Sequence, residues 1–302
     1  MTIFDYYIVL IYLFSVFYIG IRYRDRSSDF STFMIAGRKV GLSLGVATML
    51  GTELGLITVM YNAQTGFNDF FAAFHIGLFA LVVTMFIGVT GVVVVKLREL
   101  KVKSIPEYYE IRFGKNVRVL GAILLVIGGI LNMGLFLKVG AIFVQGILSA
   151  TYGVSWVEGS ESLLAIIMIV LLVMVLLYTI LGGMISVIIT DYIQFVVLSI
   201  GLILSVLFSI HHLGWFNIFN QLELLAAHPN LVYDPIQSRG GFYLSWQVVL
   251  GFVSAIIWPT AITRALSLKS PETVKKQYMY LASFYVLLNW SHDNDWRPNK
   301  TY

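Results

Sequence analysis

Glu53 is the residue around which chemistry in this sequence must be arranged. It stands near the middle of Leu42–Gly66, LSLGVATMLGTELGLITVMYNAQTG, a run long enough to cross a bilayer, for which about 20 mostly apolar residues suffice. A charge at that depth costs roughly 2.5 kcal/mol or more on insertion scales, so something must offset it. Gly51, Thr52 and Gly55 surround the carboxylate, and two glycines with a β-branched residue weaken the helix where the charge sits. The spacing predicts a helix interrupted between about Gly51 and Gly55. Its free carbonyls and half-helix ends would then hold a cation or a substrate in a cavity. The alternative is a glycine-lined packing face with Glu53 neutral or structurally paired.

Two further charges fall inside apolar runs. Lys138 lies 21 residues into Val117–Tyr152. Either its ammonium snorkels to the outer headgroups, or it turns into the bundle to meet Glu53 or a substrate carboxylate. Asp191 lies about five residues into Ser186–Ile210, where a solvated or interfacial carboxylate, or one accepting from Thr190, competes with a residue on an ion path.

The elements that position these residues are membrane spans. The 302 residues are 58% hydrophobic and 12% charged, against about a quarter charged in soluble domains. The mean hydropathy of +0.84 agrees. Spanning runs occur at about 6–23, 42–66, 70–95, 117–152, 163–181, 186–210 and 245–264, and an eighth begins near 278. A tight inner turn at Gly182–Gly183 separates the fifth and sixth. The loops 22–39, 96–118 and 264–276 hold sixteen of the 20 Lys and Arg, which places them in the cytoplasm and the N-terminus outside.

The same pattern excludes several functions. Basic blocks between spans set orientation and do not point to nucleic acid. Without cysteine there are no disulfides, thiolate sites or cysteine nucleophiles. No nucleotide-binding loop, zinc signature or catalytic triad occurs, so the reading is not an enzyme. His75, His211, His212 and His228 read as interfacial or internally satisfied histidines. IPEYYEIRFG, from Ile105, reads as an amphipathic stretch along the inner surface.

Four motifs together resemble the sodium:solute symporter family. They are FMIAGRKVG before the second span, IPEYYEIRFG, the signature-like YTILGGMISVIITDYIQ, and WPTAITRALSLKS. The resemblance covers about residues 5–285. It implies an all-α polytopic membrane protein with the LeuT-like inverted-repeat fold of five plus five helices after one extra helix. The corresponding organisation is an extra helix at 1–23, the first repeat at 42–210, an extracellular loop at 211–244, the start of the second repeat at 245–290, and a polar tail at 291–302.

By the same resemblance, Gly51 and Leu54 offer backbone carbonyls to sodium, the implied coupling ion. Thr52, Glu53, Thr58, Asp191, Lys138 and Ser254 form the substrate or ion path. The implied function is sodium-coupled symport of a small organic solute in the cell membrane. An amino acid or carboxylate is favoured over a sugar, since GFVSAIIW carries only Ser254 as a polar group. Pro259 resembles the proline-transporting branch.

The run after Tyr278 turns polar after about 11 apolar residues, so the chain reads as an incomplete symporter, inactive alone. The alternatives are a half-transporter completed by a homo-oligomer or a second chain, and a receptor or scaffold that kept the fold. The expected partners are a small-molecule solute and the lipid bilayer.

Overall fold

Apolar runs become helices, and glycine or proline decides where they stop. The computed structural model describes residues 3–23, 29–69, 72–152, 160–218, 220, 236 and 240–292. The sequence readings for His228 and the tail from 293 lie outside these residues. Among the described residues every element is helical, apart from one isolated bridge between Val40 and Leu268. The chain divides into two units, Met1–Lys39 with Val102–Thr190, and Val40–Lys101 with Asp191–Tyr302.

The first unit holds α1 (Ile3–Arg22), α2 (Phe30–Ile35), α7 (Ile105–Phe113), α8 (Lys115–Tyr152) and the first part of α9 (Glu161–Leu213). Asp29 caps α2 by accepting from the Thr32 N–H at 2.8 Å. That bond holds its carboxyl below the usual range. The AGR motif is a tight turn in which Ala36, Gly37 and Arg38 all take positive φ. Ser104 and Pro106 start α7, which packs along α8 with the Tyr109 ring lying where Gly121 has no side chain. An Arg118–Glu110 ion pair joins the same two helices.

α9 has 53 residues, which at about 1.5 Å each would be roughly 80 Å long if straight, against a hydrocarbon core of about 30 Å. Gly183 breaks it at φ 58° and ψ −161°, a combination essentially restricted to glycine. The turn therefore falls where the Gly-Gly pair placed it.

The second unit holds α3 (Leu42–Glu53), α4 (Leu56–Asp69), α5 (Ala72–Thr90), α6 (Val94–Glu99), the rest of α9, and then α10 (Gly241–Ile256), α11 (Pro259–Leu266) and α12 (Pro271–His292). α12 lies along α5 and also touches α3, α4 and α6, while α10 packs on α5 and α11 on α3 and α6. Buried Leu50, Ile87, Leu97, Ile262, Leu266 and Tyr278 fill the space between them.

Several boundaries differ from the hydropathy reading. The third span ends at Thr90, because Gly91 and Val93 take positive φ before α6. The run 245–264 is not one helix: α10 and α11 meet at a 44° bend. Proline removes an N–H and forces its predecessor out of the helical region, and Trp258 is extended at φ −66°, ψ 125°. Pro259 thus has a local role as the opening residue of α11. The last helix begins at Pro271 and not near 278, since its first turns carry Glu272, Lys275 and Lys276, which hide it from an apolar window.

A polar clasp ties the start of α3 to the end of α11. The Val40 N–H donates to Ser267 O at 3.1 Å and the Lys269 N–H to Val40 O at 3.0 Å. Arg98 Nε donates to Leu268 O at 2.7 Å and its Nη2 to Lys269 O at 3.1 Å. The Gln277 amide donates to Gly45 O at 2.6 Å. Arg98, which composition makes a loop cation, is buried.

Candidate functional site at the broken helices

The break in the 42–66 run is present. α3 ends at Glu53, Leu54 sits at φ −86°, ψ 49°, and the axis turns by 60° into α4. The Leu54 N–H still reaches Leu50 O at 2.8 Å, and the α4 ladder restarts with Val59 N–H on Gly55 O at 3.1 Å. The last carbonyls of a helix have no intrahelical donor, so those of Gly51, Thr52 and Glu53 are left over, and Leu54 is the C-cap, closing the α3 ladder through its N–H. Oxygens of this kind suit a hard cation such as sodium. Thr58 lies half-buried on the first turn of α4.

Asp191 is held against the same helix. Its Oδ2 accepts from Thr48 Oγ1 at 2.5 Å and Thr52 Oγ1 at 3.4 Å, and from Arg264 Nη2 at 2.9 Å and Nε at 3.2 Å. Thr48, Asp191 and Arg264 are all buried. The solvated or interfacial aspartate considered from the sequence is therefore corrected. Proximity to the end of a span did not expose it, because α3 and α11 close over it. The Thr190 hydroxyl does not serve it either, donating instead to Val187 O at 2.9 Å. Gly51 permits the approach, since a Cβ there would lie 2.5 Å from Asp191 O. The sequence reading missed Arg264 as a partner, having counted it with the cytoplasmic basic residues.

Beside this network lies a cavity of about 320 Å³ within the second unit. Glu53 and Met49 line it from α3, with Ile76, Phe79 and Thr84 from α5, Gln247, Leu250 and Ser254 from α10, Ala261 from α11, and Tyr278 and Leu281 from α12. Tyr278 is fully buried, and its hydroxyl donates to Ala255 O at 2.7 Å. Ser254 and Thr84 donate to carbonyls of their own helices, Leu250 O at 2.8 Å and Ala80 O at 2.6 Å. Gln247, not singled out from the sequence, is a second polar group on the helix that carries Ser254. Its signal was an amide inside an apolar run. Lys138 is exposed on α8.

Two spans interrupted by glycine or proline, with a carboxylate between them, resemble the discontinuous helices that frame binding sites in secondary transporters. The profile of the sodium:solute symporter family matches residues 33–290. The chain belongs to the sodium:solute symporter family. It is 27% identical over 233 residues to sodium/glucose cotransporter 1 of Oryctolagus cuniculus, covering 76% of this chain and 33% of that protein. It is 22% identical over 289 residues to sodium/proline symporter 2 of Staphylococcus saprophyticus, covering 90% of this chain and 51% of that protein.

Among solved structures, a Na+-coupled sialic acid symporter in a substrate-bound outward-open state matches with a TM-score of 0.81 at 17% identity. The match covers 97% of this chain and 59% of that one. The chain spans about a third to a half of the length of the curated relatives it matches. Its fold is the all-α, LeuT-like transporter fold, and its relatives are transporters, not enzymes. It is a multi-pass membrane protein.

Proposed function

We propose that this chain provides the sodium and solute sites for sodium-coupled uptake of a small organic solute, an amino acid or organic acid in preference to a sugar. The observation that carries the reading is the broken α3–α4 helix, which presents leftover carbonyls and Glu53 beside a solute-sized cavity. Gly51 and Leu54 supply the carbonyls for sodium. Thr52, Thr58 and Asp191 lie on the ion path, and Glu53 and Ser254 on the solute path. The three lining hydroxyls, those of Thr84, Ser254 and Tyr278, already donate to backbone carbonyls, which leaves few donors for a sugar's ring of hydroxyls. The sodium-coupled relatives support the coupling ion. Transport by this reading also needs the part of the relatives' length that this chain does not span.

The test is uptake in proteoliposomes of this chain alone and of this chain co-reconstituted with the C-terminal helices of a full-length relative. Uptake driven by an inward sodium gradient in the second preparation is the expected result. Uptake driven by a proton gradient without sodium, or no sodium-driven uptake in either preparation, overturns the reading.

The same proposal sets the orientation, with the basic loops inside and the N-terminus outside. Lys115→Cys and Lys276→Cys replace exposed residues in a cysteine-free chain. In intact cells both should resist a membrane-impermeant maleimide until the membrane is opened. Labelling before that point reverses the topology.

A further inference from the structure

Resting on the solute-site reading above, we propose that the solute admitted to this cavity carries an organic ammonium group and that Glu53 is its counter-charge. The carboxylate is the one charged side chain in the lining, which contains no lysine, arginine or histidine. The guanidinium of Arg264 is already committed to Asp191 through two hydrogen bonds, at 2.9 and 3.2 Å. A carboxylate facing a largely apolar cavity is costly, and a cationic ligand reduces that cost.

The size of the space separates an organic cation from a bare one. A volume of about 320 Å³ is roughly ten times a water molecule's share of the liquid and lies at the small end of organic-ligand pockets. A bare cation needs a shell of oxygens, whereas these walls are largely hydrocarbon, with Phe79 adding a ring of the kind that attracts organic cations. The occupant that matches has an ammonium at one end and a small apolar body. An organic acid without an amine would bring a second negative charge up to Glu53, and the nearby guanidinium of Arg264 is already hydrogen-bonded to Asp191, so the ammonium, not the carboxylate, is the required group.

The experiment reads the charge preference of the cavity in the full chain, purified in detergent. Ser254→Cys places a single thiol in the lining of a cysteine-free protein. Its modification rate is measured with cationic aminoethyl, neutral methyl and anionic sulfonatoethyl methanethiosulfonates, each normalised to a free thiol. The cationic reagent should react about tenfold or more faster than the anionic one, and adding Glu53→Gln should abolish that ratio while leaving the neutral rate unchanged.

In the Glu53 background, leucine and 3-methylbutylamine should slow the neutral reagent, and 4-methylpentanoate should not. Equal rates for the two charged reagents, equal protection by the amine-free acid, or protection by sodium with none from either amine each overturns the proposal. The last of these outcomes would leave Glu53 as an ion ligand. Charge preference and amine protection that persist without sodium, alongside absent sodium-driven uptake, would sink the symport reading and leave this inference standing.

Discussion

Arg264→Met should destabilise the protein by about 3–5 kcal/mol, the usual consequence of removing one partner from a buried ion pair. Asp191 would then keep only the hydroxyls of Thr48 and Thr52, at 2.5 and 3.4 Å, against a carboxylate that is buried on all sides. Asp191→Asn keeps the shape and strands the guanidinium instead, so a loss of similar size is expected. The double variant removes both charges and should lose less than the sum of the two singles, with a coupling of about 1–3 kcal/mol. Thermal unfolding of the four proteins in one detergent, followed by tryptophan fluorescence, makes the measurement. Additive losses would show that the pair is not coupled. Single variants that melt with the parent would show that Asp191 is hydrated.

That pair marks the limit of what could be read before the structure. The spans were legible because hydropathy acts over some 20 residues, and so was the α3 break, because Gly51, Thr52 and Gly55 act on the backbone locally. Asp191 was visible through the motif that contains it. Its partner lies 73 residues away. At the end of a span an arginine also satisfies the orientation rule, so a buried guanidinium and a cytoplasmic one leave the same trace in composition.

Arg98 was hidden in the same way, counted as a loop cation while its side chain holds the carbonyls of Leu268 and Lys269. The break at Trp258–Pro259 is a different matter. Proline's missing N–H and the restricted residue before it were there to be used, and the family resemblance drew attention to a substrate instead. The cavity could not have been drawn from the sequence, because its walls come from five separate helices and only Glu53 and Ser254 among them stood out.

Gly51→Ala sets two effects of opposite sign against each other. In an exposed helix the change would stabilise by up to about 1 kcal/mol, since alanine loses less backbone entropy than glycine. Here the new Cβ would lie 2.5 Å from Asp191 O, 3.1 Å from its carbonyl carbon and 3.3 Å from its Cα. All three are backbone atoms, so no rotamer change relieves the contact and α3 must move away from α9. That movement lengthens the Thr48 and Thr52 hydrogen bonds to Asp191 and shifts the carbonyls at the break, so the strain and the lost bonds add. A net destabilisation of about 1–3 kcal/mol is expected, together with weakened sodium-dependent binding of solute. Gly128→Ala on α8 is the control, because a Cβ there meets nothing within 4 Å and the helix-propensity gain acts alone. A Gly51 variant that melts with or above the Gly128 variant would show that α3 and α9 do not make this close approach.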